Sequence, residues 1–240
     1  MSATLLHTGF DMLAWAAAGL SFLWLTRYAG VRFPPSRSHD LPYIAALVFG
    51  AGIGAFAFGS ANLWLSQQDG LARSIEGALA GGIIAVELYK RGTGISGRTG
   101  ARFALPLAVG VAVGRIGCFF AGLDDFTYGT PTVLPWAHDF GDGVPRHPVQ
   151  LYESIAMAGF ALAYVLYALR GNTFVIENGF HLAVGFYGAQ RFALEFVKPY
   201  GALVGPLTLF HLLSAAIVAY AIIMITTASS PRTLDDTAVA

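Results

Sequence analysis

Two arginines, Arg115 and Arg191, stand inside stretches otherwise built from apolar residues and glycine. A charge at membrane depth costs about 2.5–3.5 kcal/mol on insertion scales, so such residues call for a functional reading. Two arginines without a lysine at depth suit a phosphate, because a guanidinium stays charged and offers planar, bidentate donors. Tyr187, Arg191 and Glu195 recur at i, i+4 and i+8, which puts them on one helix face. His147, Gln150 and Glu153 open another apolar stretch, and the topology worked out below brings them to the same depth. Glu76 and Asn62 fall near that level as well. The carboxylates of Glu153 and Glu195 could hold the guanidinium forks open or serve a proton transfer. Two plainer alternatives stand beside this reading. Arg191 and Glu195 could form an intrahelical ion pair that only fixes packing, and Arg115 could snorkel to the interface.

The elements that position these residues follow from composition. The chain has 240 residues, 55% hydrophobic and 12% charged, with mean hydropathy +0.60. Ordinary soluble domains carry roughly 25% charged residues. Fourteen basic and fourteen acidic side chains give a net charge of zero, which excludes the basic excess of a nucleic-acid binder. One cysteine excludes a disulfide framework. A polytopic membrane protein remains. A bilayer core takes about 20 apolar residues per helix, and seven stretches qualify: roughly 9–28, 42–65, 74–90, 101–122, 148–169, 178–197 and 205–227. The fold class predicted is all-α, one integral membrane domain over residues 1–240. The longest connection, 123–147, is rich in Asp, Gly and Pro.

Loop cations orient the bundle. Arg73, Arg146 and Lys198 lie on the N-terminal side. Arg27, Arg32, Arg37, Lys90, Arg91, Arg98, Arg102, Arg170 and Arg232 lie on the other. This asymmetry predicts a cytoplasmic C-terminus, an outward N-terminus, an outward 123–147 loop and a polar site toward the outer leaflet. The first stretch lacks a basic leader, so it reads as a span rather than a cleaved signal.

Other patterns carry less. Gly50-Ala51-Gly52-Ile53-Gly54 has no strand before it and is no dinucleotide loop. The pairs Gly50/Gly54, Gly77/Gly81 and Gly110/Gly114 read as helix-packing seams. His7, His138 and His147 lack metal-ligand spacing, which predicts no metal site. Cys118 reads as a small buried residue rather than a nucleophile.

Three segments carry a resemblance. They are Gly114-Arg115-Ile116-Gly117-Cys118-Phe119-Phe120-Ala121-Gly122 with Tyr128-Gly129-Thr130-Pro131-Thr132, then Arg146-His147-Pro148-Val149-Gln150-Leu151-Tyr152-Glu153, then Tyr187-Gly188-Ala189-Gln190-Arg191-Phe192-Ala193-Leu194-Glu195-Phe196. In order and spacing they resemble prolipoprotein diacylglyceryl transferases. The resemblance is clear over about residues 74–200. It implies transfer of the diacylglyceryl unit of phosphatidylglycerol to the lipobox cysteine of a prolipoprotein, with release of glycerol 1-phosphate, in a bacterial inner membrane. Arg115 and Arg191 would bind the phosphate, with Glu195 and Tyr187 as companions of Arg191. Gln150 and Glu153 would line the substrate site, and His147, Asp124 or Asp125 would assist the proton. No cofactor is expected. Residues depart from the family pattern at three places. Cys118 and Ala121 stand where asparagines are usual, and Ala80 stands at the family's histidine. Two alternatives therefore stay open: a paralogue with the same phosphate site and another acceptor, or a non-enzymatic lipid-binding or transport protein.

Overall fold

The computed structural model describes residues 3–34 and 40–227, with side chains from residue 6 onward. Arg37 and Arg232, two of the loop cations used for orientation, lie outside the described residues. Of the described residues, 71% are helical, which supports the all-α class. Its helices are α1 (Ala3–Leu23), α2 (Leu41–Leu65), α3 (Ile75–Thr93), α4 (Ala104–Ala121), α5 (Val149–Leu169), α6 (Thr173–Glu195) and α7 (Leu209–Thr226). A π-helical turn, Trp24–Tyr28, extends α1.

Among the described residues, five stretches are long and apolar enough to cross a membrane: Leu6–Tyr28, Leu41–Leu65, Ala101–Asp125, Val149–Leu169 and Leu209–Thr226. The protein is thus a multi-pass membrane protein. Helices α3 and α6 fall short because they carry the charges: Glu76, Glu87, Lys90 and Arg91 on α3, and Glu177, Arg191 and Glu195 on α6. Glu76, Lys90, Arg191 and Glu195 are nonetheless buried. A helix with this much polarity is stable at depth only where neighbouring helices cover and pair its charges. The other helices supply that cover.

Packing follows the small residues. Helix α2 lies against α3 along Gly50/Gly54 and Gly77/Gly81, where a Cβ at Gly54 would fall on the carbonyl oxygen of Gly77. Helix α1 lies against α4, but the close contact is at Gly117, where a Cβ would strike Phe10. The expected seam at Gly110/Gly114 makes only ordinary contact with Ala18 and Ala14. Helices α4, α5 and α6 meet in a core that includes Leu105, Ala108, Met157, Tyr164 and Tyr187.

Helix ends differ from the sequence reading where side-chain caps set them. The Asn172 side chain accepts the Val175 N–H, so α6 begins at Thr173 instead of near 178. Gly205 sits in the turn of a two-stranded ribbon, β3 (Ala202–Val204) with β4 (Leu207–Thr208), and α7 begins only at Leu209. Thr208 caps α7 through a reciprocal pair of bonds with His211.

The 123–147 segment is ordered by local bonds. It opens on a 3-10 turn, Gly122–Asp125, and later forms a ribbon of His138–Asp139 with Pro145–Arg146. Asp139 Oδ1 accepts the N–H groups of Gly141, Asp142 and Gly143. The Thr130 N–H donates to the Val197 carbonyl at 2.7 Å, which fastens the loop to the end of α6.

Candidate active site

Helices α3, α4, α5 and α6 bring five charged side chains together, and Lys198 beyond α6 joins them. Arg191 on α6 is the hub. Its Nε lies 3.1 Å from Glu76 Oε2, its Nη1 2.6 Å from Glu153 Oε1, and its Nη2 3.2 Å from Glu195 Oε2. Each edge of the guanidinium meets a different carboxylate. Arg115 on α4 pairs through Nε with Glu153 Oε2. Lys198 Nζ donates to Glu153 Oε1 at 2.9 Å. All six groups are buried. With Arg115, Arg191 and Lys198 against Glu76, Glu153 and Glu195, the charges cancel when every group is ionised.

Neutral groups complete the cluster. Ser214 Oγ donates to Glu76 Oε1 at 2.6 Å, and Thr208 Oγ1 donates to Glu195 Oε1 at 2.7 Å. The hydroxyl that bonds Glu195 therefore also caps α7. The Arg191 guanidinium lies 5.2 Å from the Phe210 ring centre, and Lys198 Nζ lies 5.6 Å from that of Tyr200. Such a network repays desolvation only because nearly every charge has several partners; stripping one partner from a buried pair costs about 3–5 kcal/mol.

The two arginines are not equivalent. Arg191 spends all three nitrogens on carboxylates. Arg115 gives one edge to Glu153 and turns Nη1 toward Cys118 Sγ, at 3.6 Å. Beside Glu153, Gln150 is 0% exposed, and neither its amide oxygen nor its amide nitrogen has a partner among the described residues. A buried primary amide with both ends unpaired costs free energy unless a ligand or water serves it.

The sequence-derived candidates fall into two groups. Arg115, Arg191, Glu195 and Glu153 form the cluster, Gln150 lies on α5 beside Glu153, and Tyr187 is buried one turn below Arg191 within electrostatic reach of both arginines. The Arg191–Glu195 pair exists, but Arg191 reaches two further helices, so it does more than brace α6. Arg115 is buried and paired rather than snorkelling. His147 stands apart: its Nδ1 faces the Tyr152 hydroxyl at 3.3 Å, and that hydroxyl accepts the Trp136 indole N–H at 2.7 Å. Asp125 faces His7, with Nε2 to Oδ1 at 3.2 Å, and accepts the Thr127 hydroxyl at 2.6 Å. Asp124 follows Leu123 in the same 3-10 turn, and among the described residues its side chain makes no bond like that of Asp125 to His7.

Lys198, Ser214, Thr208 and His7 escaped the sequence reading as site residues. Lys198 was counted as a loop cation. Glu76 was placed only by depth. Serine and threonine in apolar helices give no signal of their own. Two cavities, of about 410 Å³ between α5, α6 and α7 and about 240 Å³ near Lys90, lie elsewhere, and neither is lined by Arg115 or Arg191.

Comparison with known proteins identifies a family. A family described as "Prolipoprotein diacylglyceryl transferase" matches residues 12–227. A phosphatidylglycerol–prolipoprotein diacylglyceryl transferase of Methylococcus capsulatus is 33% identical, over 89% of this chain and 88% of its own. Another from Geobacter sulfurreducens is 33% identical over 70% and 68%, and one from Solidesulfovibrio magneticus is 29% identical over 80% and 83%. No solved structure gives a significant match. With its matched span running from within α1 through α7 and including the buried arginine–carboxylate cluster, this chain belongs to the prolipoprotein diacylglyceryl transferase family and is a transferase.

Proposed function

We propose that the protein crosses a bacterial cytoplasmic membrane seven times, N-terminus outward, and moves the diacylglyceryl group of phosphatidylglycerol to the lipobox cysteine thiol of prolipoproteins. Glycerol 1-phosphate leaves. The observation that carries this reading is the asymmetry of the two arginines. Arg115 meets one carboxylate whereas Arg191 meets three, and the Gln150 amide, three residues before Glu153 on α5, is unpartnered among the described residues.

The chemistry follows from charge. The incoming phosphodiester carries one negative charge and leaves as a monoester with a second, so donors aimed at the phosphate stabilise the transition state more than the ground state. Arg115 fits that task. Arg191, locked by Glu76, Glu153 and Glu195, holds Glu153 in place, and Glu153 in turn orients Arg115. Gln150 offers its amide to the glycerol headgroup, and Tyr187 packs beneath Arg191. The acceptor thiol must lose its proton. Asp125, held by Thr127 beside His7, is linked to Arg115 through His7 and Cys118, which favours the His7–Asp125 pair over His147 and Asp124 as the place where the thiol is activated.

Complementation tests the reading. In a strain depleted of its own transferase, the intact chain restores growth and the lipid-dependent gel shift of a prolipoprotein. Arg115→Ala abolishes rescue, whereas Arg98→Ala keeps it. Failure of rescue by the intact, well-expressed chain rejects the reaction. Reporter fusions after Leu65 and after Arg170 test the orientation, with the first outside and the second inside.

A further inference from the structure

At the end of α4, three ligand-type side chains from distant parts of the chain converge outside the arginine cluster. His7 Nε2 lies 3.2 Å from Asp125 Oδ1 and 3.7 Å from Cys118 Sγ, and all three donor atoms lie within 4.8 Å of one another. Zinc bonds of about 2.3 Å to sulfur and 2.0–2.2 Å to nitrogen or oxygen put tetrahedral ligands about 3.4–3.6 Å apart. The His7 spacings bracket that value. The donor set of one thiolate, one imidazole and one carboxylate suits zinc rather than magnesium or calcium.

Outer partners are also in place. His7 Nδ1 lies 3.3 Å from Asp11 Oδ2, which fixes the tautomer that frees Nε2 for a metal. Asp11 is steadied by Arg73 Nη2 at 3.5 Å, and Asp125 by the Thr127 hydroxyl. The side chains of His7 and Asp125 keep 21% and 19% exposure, so an ion can reach them from solvent. Gly117 makes the assembly possible: any larger residue would push Phe10, and with it His7, away from α4.

We propose that His7, Cys118 and Asp125 bind one zinc ion whose fourth position takes the acceptor thiol. Three protein ligands with an open fourth position is the pattern of catalytic zinc. The role given to the metal rests on the transfer reaction proposed above; the binding does not. The step balances. The acceptor thiol passes its proton to the zinc-bound hydroxide, which leaves as water, and its sulfur becomes the fourth ligand. The sulfur electron pair then attacks the glycerol carbon that carries the phosphate. That C–O bond breaks, and its electrons stay on the phosphate oxygen beside Arg115. The neutral thioether, a weak ligand, dissociates. Zinc with Cys118 and Asp125 ionised is neutral, so a bound thiolate carries one net negative charge that passes to the phosphate.

Tag-free, full-length protein in detergent, stripped with a chelator, tests this. Mass spectrometry of bound metal is expected to find about one zinc per chain after reloading. Cobalt(II) in its place is expected to show thiolate charge-transfer absorption and the intense visible bands of a tetrahedral site. Cys118→Ser removes the charge-transfer band and His7→Gln abolishes binding, while Asp11→Asn weakens zinc about tenfold as a partner of the ligand. Absence of bound zinc and cobalt in the intact protein overturns the site and leaves His7–Asp125 as an ion pair, as does an unchanged cobalt spectrum in Cys118→Ser. Stripped protein is expected to lose transfer at least tenfold and to regain it with Zn2+ but not Mg2+. Transfer indifferent to stripping overturns the role in thiol activation. Zinc bound without transfer to any thiol peptide rejects the proposed reaction and leaves the metal site standing.

Discussion

Two polar regions lie within this bundle, and they solve the burial of charge differently. At the Glu153 end, Arg191 meets carboxylates from α3, α5 and its own helix, and Glu153 is shared with Arg115 and Lys198. At the Lys90 end, partners are mostly taken two at a time. Lys90 bonds Glu87 three residues away at 2.9 Å, Tyr220 donates to that same Glu87 at 3.1 Å, Tyr43 pairs with Thr99, and Arg98 with Asn178. Of these, Lys90–Glu87 lies within one helix and the others join distant elements pairwise, so no single described residue there gathers partners from several helices as Arg191 does. The convergent cluster needs four helices and the chain beyond α6 to be placed together. Its charges are tightly buried, with Glu153 at 0% exposure, while the Glu87 side chain keeps 30%. That organisation, together with the unpartnered Gln150 amide, supports the ligand-binding reading proposed above.

The sharpest way to break this comparison is to remove the hub. Arg191→Ala leaves three carboxylates facing one another in a dry site, and the expected loss is about 3–5 kcal/mol or more, read as reduced folded yield and a lower unfolding temperature in detergent. A mild effect would mean that the cluster is wet and loosely coupled. Arg115→Lys comes next and separates function from fold. It keeps the charge beside Glu153 but loses the planar fork, so transfer should fall about 100-fold or more while unfolding shifts little. An equal loss of stability would make Arg115 a second structural hub. Glu87→Gln probes the other end. Its amide oxygen still accepts from Lys90 and Tyr220, but buried Lys90 loses its counter-charge, so the cost should be smaller than for Arg191→Ala, with transfer unchanged.

The smallest effect is expected in the exposed loop. Arg146 donates to Asp142 through Nη1 and Nη2 at 2.6 and 2.7 Å, and this holds the Asp142 carboxyl below its usual range. A depressed folded-state value contributes stability that is present above the unfolded value, about 3.9, and is lost as pH falls through the folded one. Hydrogen exchange at Val144 and Arg146 should therefore stay slow through ordinary aspartate titration and quicken only at lower pH. Asp142→Asn should abolish that pH dependence and leave transfer intact.

The arginines were legible in the sequence because each is a local anomaly: a full charge in an apolar stretch stands out without any knowledge of the fold. The face holding Tyr187, Arg191 and Glu195 was legible too, since helical periodicity fixes it. Lys198 was misread because three residues past a helix a lysine looks like any loop cation, and only the return of the chain over Glu153 shows that it is buried. The start of α7 was misplaced at Gly205 because apolar residues of a hairpin continue the hydropathy of the helix, whereas Thr208 and its cap set the boundary. Five stretches satisfy the hydropathy of a span on their own; α3 and α6 do not, since they carry the charges that the others enclose.

By itself, then, the sequence determined that the chain is helical, built for a bilayer, and charged at depth by two arginines, because hydropathy and periodicity are properties of neighbours along the chain. The tertiary structure alone decided which carboxylate meets which guanidinium. Glu76 lies 115 residues from Arg191, Glu153 lies 38 residues from it, and His7 lies 111 residues from Cys118. At such separations no spacing rule applies. The contact of Gly117 with Phe10 sets α1 against α4 near His7 and Cys118, and the packing of α3, α4, α5 and α6 brings the arginines to their carboxylates.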